Sequence, residues 1–135
     1  MIVGIGTDTV IIDRVAKLVA RWGDRFAQRV LGPAEYAEYQ RRKSRGVAGE
    51  DRAIRYIAKR FAAKEAIGKA LGVGLFYPMS LHSVEILNDR RGAPKAEPRK
   101  ALAQYLEERQ FQIHVSISDE IEHAQALAIV ETVAV

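Results

Sequence analysis

From Phe111 to Ser118 the chain alternates without a break. Phe111, Ile113, Val115 and Ile117 face one way, and Gln112, His114, Ser116 and Ser118 face the other. A period of two belongs to a strand with one covered and one open face. A second strand over about Gln125 to Val133 pairs with it through the connection Asp119 to His123, giving an antiparallel pair. Such a sheet needs its apolar face covered, and the segments ahead of it read largely as helix. The expected class is therefore α+β: an antiparallel sheet packed with a long helix, in a single domain over residues 1–135.

The N-terminal residues Ile2 to Thr7 read as another strand, with Gly4 and Gly6 on one face and Val3 and Ile5 on the other. Asp8 follows where that strand is expected to stop. Asp13 is a good N-cap for a helix running to about Val30. After Gly32-Pro33, with Pro33 at a first helical position, a short helix covers about Ala34 to Lys43. Ser44 to Glu50 is a polar loop. A long helix over about Asp51 to Leu71 ends at Gly72, a natural C-terminal cap. Leu81 to Leu87 reads as a strand that ends in the turn cluster Asn88 to Gly92, and Pro98 opens a helix to about Gln110.

Two residues break the pattern they sit in. In the long helix Ile54, Ile57, Ala58 and Phe61 make an apolar stripe, and the next turn of that stripe holds Glu65. A carboxylate facing a core is costly unless it is paired or bound to a metal. An ion pair with Lys69 at i,i+4 is one account. The other is a ligand site, since Gly68 leaves space beside Lys69, while Lys69, Gly72 and Gly74 offer a cation and bare backbone to phosphate oxygens. Asp8, at the end of a rigid strand, either caps a turn or joins Glu65 as a second metal carboxylate. Two carboxylates with few other donors suit Mg²⁺, which fills its shell with water and substrate phosphate.

The charge balance of +4 (21 Lys and Arg, 17 Asp and Glu) and an isoelectric point near 9.5 suit nucleic acid, an acidic protein or a phosphorylated molecule. Arg14, Lys17, Arg21, Arg25 and Arg29 gather on one arc of the first helix, about 120° wide. Val15, Val19, Trp22, Phe26 and Val30 fill the neighbouring arc as expected core. Leu18 falls among the cations, which suits an acidic, amphipathic partner better than an ordinary solvated face. The alternative, a small nucleic-acid-binding module, lacks an exposed aromatic platform and any recognised motif. Without Cys there is no disulfide, thiolate site or Cys nucleophile. His82, His114 and His123 lack zinc spacing, no G-x-S-x-G elbow occurs, and Thr9 stands where a dinucleotide fingerprint needs its third glycine. No apolar run nears the roughly 20 residues of a membrane span, and no basic flank precedes an N-terminal apolar stretch. A cytoplasmic protein is expected.

Gly4-Ile5-Gly6-Thr7-Asp8 with Arg14, then Arg60-Phe61-Ala62-Ala63-Lys64-Glu65-Ala66 with Lys69-Ala70-Leu71-Gly72, then His114-Val115-Ser116-Ile117-Ser118, appear in this order along the chain. Val30-Leu31, Glu35, Gly92 and Pro94 fit the same pattern. Together they resemble the holo-acyl-carrier-protein synthases. The family pattern carries Glu at the position of Ile11, an apolar residue at Thr9 and Thr at Val73. The resemblance implies a 4′-phosphopantetheinyl transferase fold and activity. Coenzyme A would give its phosphopantetheine arm to a serine of apo acyl carrier protein in fatty acid biosynthesis, releasing adenosine 3′,5′-bisphosphate. It implies Mg²⁺ on Asp8 and Glu65, Lys69 on the leaving phosphate, and Lys64 as a nearby phosphate or structural contact. His114 and Ser116 would line the coenzyme site. A homotrimer with sites between subunits is implied, and the acidic carrier would dock on Arg14, Arg21, Arg25 and Arg29 around Leu18. Neither nucleic acid nor membrane is expected as a partner.

Overall fold

The structure is a computed structural model that describes residues 1–133. In chain order its elements are β1 (Ile2–Ile11), α1 (Ile12–Trp22), α2 (Asp24–Val30), α3 (Pro33–Lys43), α4 (Gly49–Leu71), β2 (Val84–Asn88), β3 (Pro94–Pro98), α5 (Lys100–Arg109), β4 (Phe111–Asp119) and β5 (His123–Thr132). One antiparallel sheet has the order β1-β5-β4, and β2-β3 form a separate antiparallel hairpin. The α+β class expected from the sequence is the one observed.

Alternation in β4 and β5 places their apolar faces against α4. Ala126, Ala128 and Val130 of β5 are buried there with Ala62, Ala63, Ala66, Ile67 and Ala70 of α4. The small side chains let helix and sheet lie close, which positions everything carried on their facing surfaces. A second cluster fills the other end of α4, where Val15 and Val19 of α1, Ala27 and Val30 of α2, and Tyr39 of α3 surround Tyr56, Ile57 and Ala58. No helix among the described residues is long and apolar enough to cross a membrane.

Several boundaries differ from the sequence expectation, each for a local reason. The first helix is two helices, broken at Gly23, whose φ of 60° and ψ of −141° lie outside the helical region and are open to glycine alone. That break takes Trp22 out of the core, and it is 48% exposed, while Phe26 is only partly buried. Val15, Val19 and Val30 are buried as expected. Asp13 does not cap: the N-cap is Ile11, two residues earlier, and Asp13 instead pairs with Lys17 at 3.1 Å. Pro98 ends β3 rather than opening α5, because it pairs opposite Val84 at the end of the hairpin, where a strand tolerates a missing donor. β3 itself, Pro-Lys-Ala-Glu-Pro, carries no apolar signal and exists by pairing with β2.

Candidate active site

Asp8 does not end a strand. β1 continues to Ile11, and Asp8 stands within it opposite Ala126, on the same face as Gly4 and Gly6. That face looks onto α4, and Asp8 projects towards the turn carrying Glu65 and Lys69. Lys69 Nζ donates to Asp8 Oδ1 at 3.1 Å and to the Thr7 carbonyl at 3.0 Å. The ammonium thus crosses to the strand instead of closing the i,i+4 pair with Glu65. Glu65 is half-buried, and burial first, then the nearby Asp8 charge, raises its pKa above the usual carboxylate range; Lys69 opposes this. Two carboxylates near enough to feel each other's charge thus share the site with the exposed Lys69 and, on the wall of the same cavity, Arg14.

That donor set fits a small hard cation. Among the described residues no group of three or more His, Cys, Asp and Glu is arranged to hold a metal. A pair of carboxylates leaves most of an octahedral shell for water and substrate oxygens, which is how Mg²⁺ binds alongside phosphates. Asp8 and Glu65 are the residues that would hold it.

Beyond Lys69, Gly72 caps α4 in the left-handed region (φ 77°) and Gly74 has φ 62°. The space left by Gly68 is taken by the chain itself. The Gly74 carbonyl oxygen lies 2.3 Å from where a Gly68 β-carbon would be, and Val73 and Gly74 both donate to the Gly68 carbonyl. The loop is thereby folded back against the turn that carries Lys69.

Of the two roles expected for Lys64, phosphate contact or structural contact, the structure supports the second and not the first. Its side chain is fully buried, and Nζ donates to Val30 O, Leu81 O and Glu35 Oε1, each at 2.7 Å. All three donors of the ammonium are used, so none remains for a coenzyme phosphate. Lys64 is a structural contact. Glu35 completes the clasp by accepting from Gly32 N and Ile86 N, and Glu85 accepts the N–H groups of Ala34 and Glu35 at the start of α3. Arg60, the first residue of the long-helix motif, is buried as well and donates to Ile86 O and Asn88 Oδ1.

From Asp8 and Glu65 a cavity of about 410 Å³ runs between β1, α1 and α4, with Arg14, Leu18, Phe26 and Phe61 among its walls. Leu18 and Phe26 also line a second hollow of about 460 Å³ with Trp22, Arg25 and Arg29. The exposed Arg14 of α1 and Arg25 and Arg29 of α2 line these two hollows, with Leu18 at 39% exposure common to both, and the exposed Lys17 and Arg21 stand on α1 as well. Helical spacing carried across Gly23 places Trp22 and Phe26 in the core; the break there leaves Trp22 exposed and Phe26 partly so. A hollow of about 610 Å³ beside α3 is larger, but its Glu85 and Arg99 are bonded to each other at 3.2 Å.

Within one chain the structure does not bring His114 and Ser116 to Asp8. β5 lies between β4 and β1, and His114 and Ser116 point to the open face of the sheet, where His114 Nε2 is 2.7 Å from Glu131 Oε1. Val3 and Ile5 of β1 and Leu127 of β5 are exposed on that same face.

Residues 4–130 match the family described as the 4′-phosphopantetheinyl transferase superfamily. The chain is 46% identical over 131 residues to a holo-[acyl-carrier-protein] synthase of Herminiimonas arsenicoxydans, covering 97% of this chain and 98% of that protein. The crystal structure of the synthase from Neisseria meningitidis matches with a TM-score of 0.86 at 37% identity, over 98% of this chain and 100% of the other. A Bacillus anthracis synthase in complex with CoA (3′,5′-ADP) matches with a TM-score of 0.79 at 33% identity, over 98% and 99% of the two chains.

Proposed function

The chain belongs to the 4′-phosphopantetheinyl transferase superfamily as an enzyme of the holo-[acyl-carrier-protein] synthase type, and from that premise we propose how its own residues divide the reaction. The donor is coenzyme A, the acceptor a serine of an apo acyl carrier protein in cytoplasmic fatty acid synthesis, and the by-product adenosine 3′,5′-bisphosphate. The serine oxygen bonds to the pantetheine-side phosphorus of the pyrophosphate, and the bond from that phosphorus to the bridging oxygen breaks.

The observation that carries this reading is the meeting of Asp8, Glu65 and Lys69 at the head of an apolar cleft. Asp8 and Glu65 would hold Mg²⁺, which would supply the positive charge that the oxygens of phosphoryl transfer call for. Lys69, half exposed, leaves Asp8 and follows the departing phosphate. Glu65, on the wall of the cleft, is the residue to which we assign the serine proton. The backbone at Gly72 and Gly74 lies beside the nucleotide phosphates. The cleft along Leu18, Phe26 and Phe61 takes the pantetheine arm, and Arg14, Arg21, Arg25 and Arg29 meet the acidic carrier around Leu18.

His114 and Ser116 join the coenzyme site only across a subunit boundary. The open sheet face with Val3, Ile5 and Leu127 exposed suits packing against further copies, and the assembly we favour is a homotrimer, readable as a tripled mass in sedimentation.

The transfer itself is tested by incubating the protein with CoA, Mg²⁺ and an apo carrier and following intact mass. A gain of one phosphopantetheine that is lost on chelation is expected. No gain with a carrier that another synthase modifies overturns the assignment.

A further inference from the structure

Two glycines of β1 lie closer to α4 than any side chain permits. A β-carbon on Gly4 would stand 1.9 Å from the Ala70 carbonyl oxygen, and one on Gly6 would stand 2.1 Å from the Ala66 carbonyl oxygen and 2.7 Å from Ala70 N. These neighbours are backbone atoms of a buried helix, which cannot swing aside as a side chain can. Conformation does not account for the glycines. The glycines with positive φ are Gly23, Gly46, Gly72, Gly74 and Gly92, and Gly4 and Gly6 sit in extended strand. Their requirement is contact alone.

The Gly6 contact is enclosed by the site residues. Ala66, whose carbonyl it meets, follows Glu65 directly. Lys69, whose β-carbon would lie 2.9 Å from a β-carbon on Gly6, is the residue bonded to Asp8. Asp8 itself is the next residue on the same face of the strand. We propose that Gly6 is a positioning residue for the carboxylate pair: the missing side chain sets the depth of β1 on α4, and that depth sets the separation of Asp8 from Glu65.

This rests on the reading that the two carboxylates share Mg²⁺. An alanine at position 6 moves the strand out by about 1 Å to restore ordinary contact. Mg²⁺ demands near-ideal octahedral geometry with oxygens at about 2.0–2.1 Å, so a pair parted by that much no longer closes on one ion. Lengthening Asp8 by one methylene restores the reach. A glycine that served packing alone would, when replaced, cost stability and leave metal binding of the folded protein unchanged.

The experiment measures Mn²⁺ binding by electron paramagnetic resonance on the full chain, with CoA present and no carrier, so that no turnover is read. For Gly6→Ala, shown folded by circular dichroism, binding weaker by about tenfold or more is expected. Gly6→Ala with Asp8→Glu recovers part of that loss, whereas Asp8→Glu on the native glycines loses affinity. Gly49→Ala, whose β-carbon would stand 2.6 Å from Lys43 O away from the site, lowers stability and keeps native Mn²⁺ affinity. Native affinity in folded Gly6→Ala, or a double variant weaker than Gly6→Ala, overturns the inference. Should Gly6→Ala fail to fold, Asp8→Glu alone decides: weakened binding supports a fixed spacing, and native binding overturns it. A native chain that binds no Mn²⁺ overturns the shared-metal reading instead, a distinct result.

Discussion

Lys69 Nζ lies 3.1 Å from Asp8 Oδ1 and 3.0 Å from the Thr7 carbonyl, so the cation of α4 is turned onto β1 and away from Glu65 on its own helix. A short ion pair with a half-exposed lysine is weakly held. Under the proposed function the ammonium gives up this pair to follow a phosphate.

Lys69→Met therefore leaves the fold intact and lowers kcat by about 10²–10³, the range for removing one preorganised charge-stabilising donor. Steady-state kinetics with CoA and a carrier check this, alongside an unchanged circular dichroism spectrum. A variant with native kcat removes Lys69 from the phosphate.

Glu65→Gln separates activity from stability. The folded-state pKa of Glu65 is raised, so the folded chain holds its proton more tightly than the unfolded chain does. In the window between the ordinary carboxylate pKa and the raised one, the native state binds more protons, and stability falls as pH rises. Above that window the penalty of the ionised group is fully present, reduced by the solvent that reaches this half-exposed side chain. Glu65→Gln removes the penalty. Its melting temperature at neutral pH is expected to equal or exceed that of the native chain, with less loss of stability on raising pH, while phosphopantetheine transfer disappears. Native turnover, or a steeper loss of stability with pH, contradicts the assignment of Glu65.

The sheet and Glu65 were legible because each rested on a local signal, whereas Asp8 was singled out as the end of a strand that runs on to Ile11. The alternation from Phe111 to Ser118 is β4 almost to the residue, and Glu65 stood out as a charge in an apolar stripe. Gly4 and Gly6 were seen as one face of a strand, but the helix they touch is distant in sequence and no period encodes it. Lys64 next to Glu65 looked equally available for phosphate, since linear spacing does not report that Glu35 and Val30 enclose it. The break at Gly23 was invisible because a lone glycine inside a helical pattern is tolerated more often than not. β3 was missed because its residues satisfy no strand pattern of their own.

The Lys64 clasp sets a stability prediction. Burial lowers the lysine's pKa against the opposing pull of Glu35, and removing the ammonium alone leaves the Glu35 carboxylate buried without its charge partner. Lys64→Met is expected to cost about 3–5 kcal/mol. Lys64→Met with Glu35→Gln costs less than Lys64→Met alone, since no charge is left uncompensated. Urea titrations of the native chain and the two variants decide it. A double variant less stable than Lys64→Met shows that the pair is not coupled.

If the carrier docks as proposed, its recognition would divide between charge and apolar contact on the surface at the α1–α2 break at Gly23. The Arg21 guanidinium stands 5.0 Å over the Trp22 ring, and Leu18, Trp22 and Phe26 share a hollow with Arg25 and Arg29. The exposed arginines act at range and speed the encounter with an acidic partner, an effect that salt screens. The ring and Leu18 act only on contact, through buried apolar area. Arg21→Glu is accordingly expected to raise KM for the carrier by about tenfold or more at low salt, to leave KM for CoA unchanged, and to lose much of its effect at high salt. Trp22→Ala also raises KM for the carrier alone, but its effect persists at high salt because it removes area rather than charge. The two salt profiles, measured with the same carrier, separate the contributions. Equal changes in KM for CoA and for carrier, in either variant, remove this surface from carrier recognition.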